Sequence, residues 1–169
     1  PLPLAETMCL SCLAEESNMA HNLDELIKHQ PPMRLIDELC WAEPGKGQCR
    51  LTVSSDNLFY SESLQGLPAH VGIELMAQSI AAVAGYQHKE AGGEIKLGFL
   101  LGSRKYQCDI ASFKLGERYD VFVEELHVES SGLSVFACDI RHGDKVIAQA
   151  RLNVYQPPDE NAFIEENYG

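Results

Sequence analysis

The sequence predicts an α+β fold in which a curved, mostly antiparallel sheet wraps around one long central helix. Three observations carry that prediction. Residues 69–89 contain no proline, are rich in alanine and place apolar side chains at helical spacing. Two strand-like stretches precede this segment and four follow it. The connections between the last strands are short and hold Gly, Ser and Asp, so consecutive strands pair as hairpins.

Composition narrows the possibilities. A chain of 169 residues with 45% hydrophobic and 22% charged residues has enough apolar material for one globular core. The net charge of −12 speaks against a nucleic-acid binder, which needs a basic face. No apolar run approaches the ~20 residues that cross a bilayer. The first residues have no basic stretch ahead of an apolar one, so a cytoplasmic protein with reduced thiols is expected. Cys9 and Cys12 form a C-x-x-C, but no second half completes a metal site. The other cysteines, at 40, 49, 108 and 138, read as small buried hydrophobes. No metal or redox cofactor is expected.

The elements follow in order. Residues 1–20 read as an appendage, 21–156 as one domain and 157–169 as an acidic tail. Asn22 caps a short helix, with Glu25 three residues on, and Pro31-Pro32 ends it. Residues 33–41 and 48–54 form a hairpin across Pro44-Gly45-Lys46-Gly47. Residues 55–68 read as a loop. The helix over 69–89 is apolar nearly all round, as a buried helix must be, and Gly92-Gly93 stops it. Strands are expected over about 94–110, 118–129, 132–141 and 145–155. One apolar helix needs a sheet that curls around it, which is the hot-dog arrangement. Its open edges predict a dimer.

His70, Glu74 and Gln78 stand four residues apart on this apolar helix and so share a face. A carboxylate there is costly unless it is paired or used, and burial favours the protonated form that a general acid needs. Glu74, Gln78 and His70 are therefore candidate site residues. Three plainer roles stand beside these: Glu74 facing the helix dipole, Gln78 satisfying a buried backbone group, and His70 solvated at the helix start. His29, His88, His127 and His142 read as structural or surface residues.

Four segments resemble one family. H-Q-P-P-M-R-L-I-D (29–37), G-I-E-L-M-A-Q (72–78), G-F-L-L-G-S-R-K-Y-Q (98–107) with L-G-E-R-Y (115–119), and G-D-K-V-I-A-Q-A-R-L (143–152) occur in the order found in 3-hydroxyacyl-[acyl-carrier-protein] dehydratases. The run L-P-A-H-V-G-I-E-L-M-A-Q (67–78) resembles the dehydratase-like proteins of aryl-polyene and fatty-acid-like clusters. The resemblance implies dehydration of 3-hydroxyacyl thioesters on acyl carrier protein or coenzyme A. It puts Glu74 in the carboxylate position and Gln78 in the amide position, with Gly72 and nearby amides at the thioester carbonyl. It implies that the two catalytic side chains come from different subunits. The family's G-H-F-P histidine is absent, since residues 57–69 hold no His, so His70 becomes the substitute candidate.

An acyl tunnel lined by Ile73, Met76 and Phe99 is expected, and Arg104 and Lys105 offer a local basic contact for an acidic carrier. The expected assembly is a homodimer or a heteromer with a second hot-dog subunit. The alternatives are a thioesterase, in which one carboxylate activates water, and a non-catalytic partner subunit.

Overall fold

The computed structural model of the protein describes residues 22–93, 98–157 and 164–167. The C-x-x-C motif, the N-terminal appendage and most of the acidic tail lie outside the described residues.

Strands β1 (Glu38–Glu43), β2 (Lys46–Thr52), β6 (Arg118–Val128), β7 (Leu133–His142), β8 (Lys145–Tyr155) and β4 (Phe99–Cys108) form one antiparallel sheet in that order. Two short strands, β3 (Gly66–Pro68) and β5 (Ser112–Lys114), pair separately. Helix α1 (Gly72–Glu90) lies against the concave face and touches all six strands of the large sheet. This is the hot-dog fold.

Alternation decides which face each strand buries. Tyr119, Val121 and Val123 of β6 point to the helix, as do Phe136, Cys138 and Ile140 of β7 and Ala148, Ala150 and Leu152 of β8. Leu75, Met76, Ala82 and Val83 of α1 close the core from the other side. Glycines set two close approaches. A methyl group at Gly85 would meet the Leu26 carbonyl at 2.0 Å, so only glycine lets the 3-10 turn Leu23–Glu25 and its C-cap pack on the helix. Gly132 turns from β6 into β7 at φ +101°, where an added Cβ would lie 2.2 Å from the Gln156 carbonyl.

Several boundaries depart from the sequence reading, among them β2, which spans Lys46–Thr52 against the expected 48–54. β1 begins at Glu38 rather than Met33, because residues 29–36 cross the helix instead of joining the ladder, and Asp37 leads in with its N–H donating to the Arg50 carbonyl at 2.9 Å. The stretch 55–68 contains β3, and the expected strand 94–110 ends at Cys108, with β5 a separate element. The helical stretch starts as a 3-10 turn, Ala69–Val71, before α1 begins. Cys49 and Cys138 are buried, Cys40 and Cys108 partly so, and all four are free thiols. Burial pushes the thiols of Cys40 and Cys49 up to about 12. No helix of the described residues is long and apolar enough to cross a membrane.

Candidate active site

The site is built where segment 29–36 crosses the first two turns of α1. Leu35 and Ile36 are fully buried and anchor the segment. Its turn closes through the Met33 N–H, which donates to the Gln30 carbonyl at 2.8 Å. Gln78, itself fully buried, fastens the segment to the helix. Its Oε1 accepts from the Leu35 N–H at 2.8 Å, and its Nε2 donates to the Met33 carbonyl at 2.9 Å. The same Nε2 donates to Glu74 Oε1 at 3.0 Å, one helical turn away.

This clamp brings His29 to Glu74. His29 Nε2 lies 3.6 Å from Glu74 Oε1, and both side chains are about one-third exposed (37% and 36%). His29 Nδ1 is buried and has no hydrogen-bond partner among the described residues. An unsatisfied buried nitrogen is uncommon in a folded protein.

Both side chains line a cavity of about 180 Å³. Its helix wall is Ala77, Ile80, Ala81 and Ala84, and its sheet wall includes Leu100, Phe136 and Val154. Ten residues separate Glu74 from Ala84, which is about 15 Å along the axis at 1.5 Å per residue. The cavity is thus elongated, with the His29–Glu74 contact at one end and small or apolar side chains along its length. Glu125, Ser134 and Gln156 add polar atoms to the lining. Burial raises the Glu125 carboxyl above its ordinary range.

The sequence candidates are distributed as follows. Glu74 faces the cavity but is half-buried rather than enclosed. Gln78 does not line the cavity, and its amide is spent on the protein, so it positions Glu74 and the 29–36 segment. His70 is exposed on the 3-10 turn and does not line the cavity. Gly72 returns its N–H to the carbonyls of Ala69 and His70, so that amide is already engaged. Its lack of a side chain answers to packing, since a Cβ would come within 2.2 Å of Tyr106 Oη. Tyr106 donates that hydroxyl to the Ala69 carbonyl, and burial raises its pKa. Arg104 and Lys105 are exposed on β4, away from the cavity. Of the expected tunnel residues, Met76 is in the core, and neither Ile73 nor Phe99 lines the cavity.

Two titratable lining residues, His29 and Glu125, were missed by sequence reasoning. His29 reads as a turn residue until the 29–36 segment is known to lie on the helix. Its place in the H-Q-P-P-M-R-L-I-D motif was the available signal. Glu125 gave none, because it follows Glu124 on a strand whose facing pattern shifts at a bulge between Glu125 and His127.

A family model for ApeP dehydratase (ApeP-like) matches residues 21–165. A chain of the dehydratase heterocomplex ApeI:P from Xenorhabdus doucetiae is 28% identical, with 88% of this chain and 99% of that chain covered and a TM-score of 0.80. Two other solved structures share the fold. The conserved protein PA5202 from Pseudomonas aeruginosa is 15% identical over 79% of this chain and 97% of that one, with a TM-score of 0.60. Thioesterase superfamily member 2 from Mus musculus is 19% identical over 70% and 79%, with a TM-score of 0.51. No curated protein matches the chain.

Proposed function

This chain belongs to the ApeP-like dehydratase family, and from that premise we propose how its residues remove water from a 3-hydroxyacyl thioester. The activity is that of a dehydratase, a lyase. The observation that carries the residue assignment is the His29–Glu74 pair at one end of an elongated, largely apolar cavity, with His29 Nδ1 left without a partner.

The acyl chain lies along Ala77, Ala81 and Ala84, and the reacting carbons sit at the pair. His29 takes the α-proton on its unpartnered nitrogen while Glu74 protonates the departing β-hydroxyl. The Cα–H electron pair forms the double bond and the C–O bond breaks. His29, then protonated on both nitrogens, gives its Nε2 proton to Glu74 across their contact, and once water and the enoyl thioester have left, exchange of the Nδ1 proton with solvent restores the starting tautomer. The thioester is carried by an acyl carrier protein or coenzyme A, with Arg104 and Lys105 as the basic contact. A second subunit pairs along the free edge of β4, where Leu100 and Leu101 are exposed. The relative's heterocomplex favours a second hot-dog chain as that partner. The four free thiols suit a reducing compartment such as the cytoplasm.

Mass spectrometry of 3-hydroxyacyl thioesters of several lengths tests the assignment. Glu74→Gln and His29→Ala are each expected to lower enoyl formation by about 10²–10⁴-fold. His70→Ala is expected to change it by only a few-fold. Loss of activity in His70→Ala but not in His29→Ala would return the base to the helix start. Release of free acid in place of enoyl product would make the pair a hydrolytic site.

A further inference from the structure

We infer that Glu125 determines specificity at the far end of the cavity, where it accepts a hydrogen bond from a hydroxyl at the distal end of the acyl chain. The inference deepens the proposed function, and it rests on that reading's placement of the chain in this cavity.

Glu125 stands at the end away from Glu74. The turn between β1 and β2 packs on the last turns of α1, where Gln87 Nε2 donates to the Glu43 carbonyl at 2.6 Å and a Cβ on Gly47 would meet Val83 Cγ2. Glu125 is joined to this turn. Its N–H donates to the Gly45 carbonyl at 2.6 Å, and a Cβ on Gly45 would lie 3.6 Å from the Glu125 Cβ and 4.0 Å from its Oε1. Gln156 is fixed at the same level from the other side, by the 3.2 Å contact of its Nε2 with His88 Nε2. Val83 and His88 lie about 14 and 21 Å beyond Glu74 along the helix axis.

Both side chains belong to the inner face. Glu125 pairs directly with Phe136, which is buried, and Gln156 follows by two residues Val154, which packs on the core. β7 runs between β6 and β8, so about 10 Å separates the backbones that carry them. Ala81 and Ala84 opposite are small and leave that gap open.

The end offers acceptors and supplies them no donor. The Glu125 carboxylate has no hydrogen bond or ion pair among the described residues, and burial raises its pKa. An amide nitrogen only donates, so His88 is the acceptor in its contact with Gln156, and Gln156 Oε1 likewise has no donor among the described residues. Ser134, the one hydroxyl in the lining, bonds to neither. A methyl-ended chain that reached this place would displace water from the carboxylate and return nothing. A hydroxyl replaces that water with a charge-assisted hydrogen bond. A site built to pair with a hydroxyl discriminates strongly against the analogue that lacks it, because its own polar group is then left unpaired. An ammonium suits the place less well, since it would shed its water against Phe136 and Val154.

The test compares kcat/KM of the intact protein for 3-hydroxyacyl N-acetylcysteamine thioesters of equal length that end in a methyl group or in a hydroxyl, over several lengths. At the length that brings the chain end to Glu125, the hydroxyl-ended thioester is expected to be used at least about tenfold better. Glu125→Leu is expected to bring the ratio to about one. Glu125→Gln keeps the shape and a neutral acceptor, and is expected to lower the ratio a few-fold, which decides the matter if the leucine variant does not fold. Equal use of the two chain ends at every length, a preference for the methyl end, or a ratio unchanged in the Glu125 variants overturns the subsite and leaves the dehydratase assignment intact. Calorimetry with the corresponding saturated thioesters, which lack the 3-hydroxyl and cannot lose water, reads the same preference as binding. A hydroxyl preference in binding without dehydration of any 3-hydroxy thioester would overturn the catalytic assignment and leave the subsite standing.

Discussion

At the scale of single residues, the cavity holds two carboxylates in different settings. Glu74 has His29 and Gln78 within reach of one oxygen. No hydrogen bond or ion pair of the Glu125 carboxylate is found among the described residues, and desolvation raises its pKa. A carboxyl whose folded pKa lies above its unfolded value favours the fold when protonated. Its contribution is therefore complete below the unfolded pKa and is lost as pH rises through the folded one. Glu125→Gln should accordingly raise the unfolding midpoint at neutral pH, with the gain vanishing at a pH below the ordinary carboxylate range. Thermal melts across pH 3–8 on wild type and variant check this. A gain that persists at acid pH would mean that the amide stabilises by new contacts rather than by removing a charge.

Among the elements, the contact between segment 29–36 and α1 decides whether the site exists. Replacing Gln78 with Leu would strand the buried Leu35 N–H and free the Met33 carbonyl. The orphaned buried amide costs about 1–3 kcal/mol. The expected outcome is a clear loss of stability together with a fall in kcat beyond what the remaining folded fraction explains, because His29 loses its seat beside Glu74. Gln78→Glu, which keeps the acceptor but loses the donors, separates the two bonded sides. The start of α1 offers a second test. Gly72→Ala pushes a methyl group into Tyr106 Oη, a clash of the kind that costs about 1–3 kcal/mol. Adding Tyr106→Phe should recover part of that loss, and a double-mutant cycle on urea melts measures how much.

The same elements show what was legible beforehand. The expected segments for β6, β7 and β8 end within one or two residues of the observed strands, because their alternation and their Gly-containing turns are local signals. The helix was legible from its alanines and apolar spacing, and Glu74 from the isolation of a charge within it. The place of His29 beside it was not, because that depends on a contact across 45 residues that only the folded Gln78 clamp creates. β3 and β5 were hidden for a similar reason, since three residues paired at a distance of about 45 leave no period to read. His70 and Gly72 show the converse. Both lie near Glu74 in sequence, but one points to solvent and the other has its amide engaged and its Cα against Tyr106.

For the whole molecule, the sheet ends on two edges that differ. β1 is short and bulged between Leu39 and Trp41. β4 is ten residues long, leaves Leu100 and Leu101 39% and 58% exposed, and has no strand beyond it among the described residues. A long edge with exposed apolar side chains is a template for another chain, and this one also brings Leu100 to the cavity wall. Assembly and catalysis are therefore expected to be coupled. Leu101→Lys places a charge on the edge without touching the cavity lining, so it should weaken subunit association while the monomer keeps its circular dichroism spectrum. Sedimentation of wild type and variant, alone and mixed with a candidate hot-dog partner, reads the association directly. If the variant dissociates and dehydration falls with it, the site is complete only in the assembly. If dissociation leaves the rate untouched, the His29–Glu74 pair within one chain is sufficient, and β4 serves stability rather than chemistry.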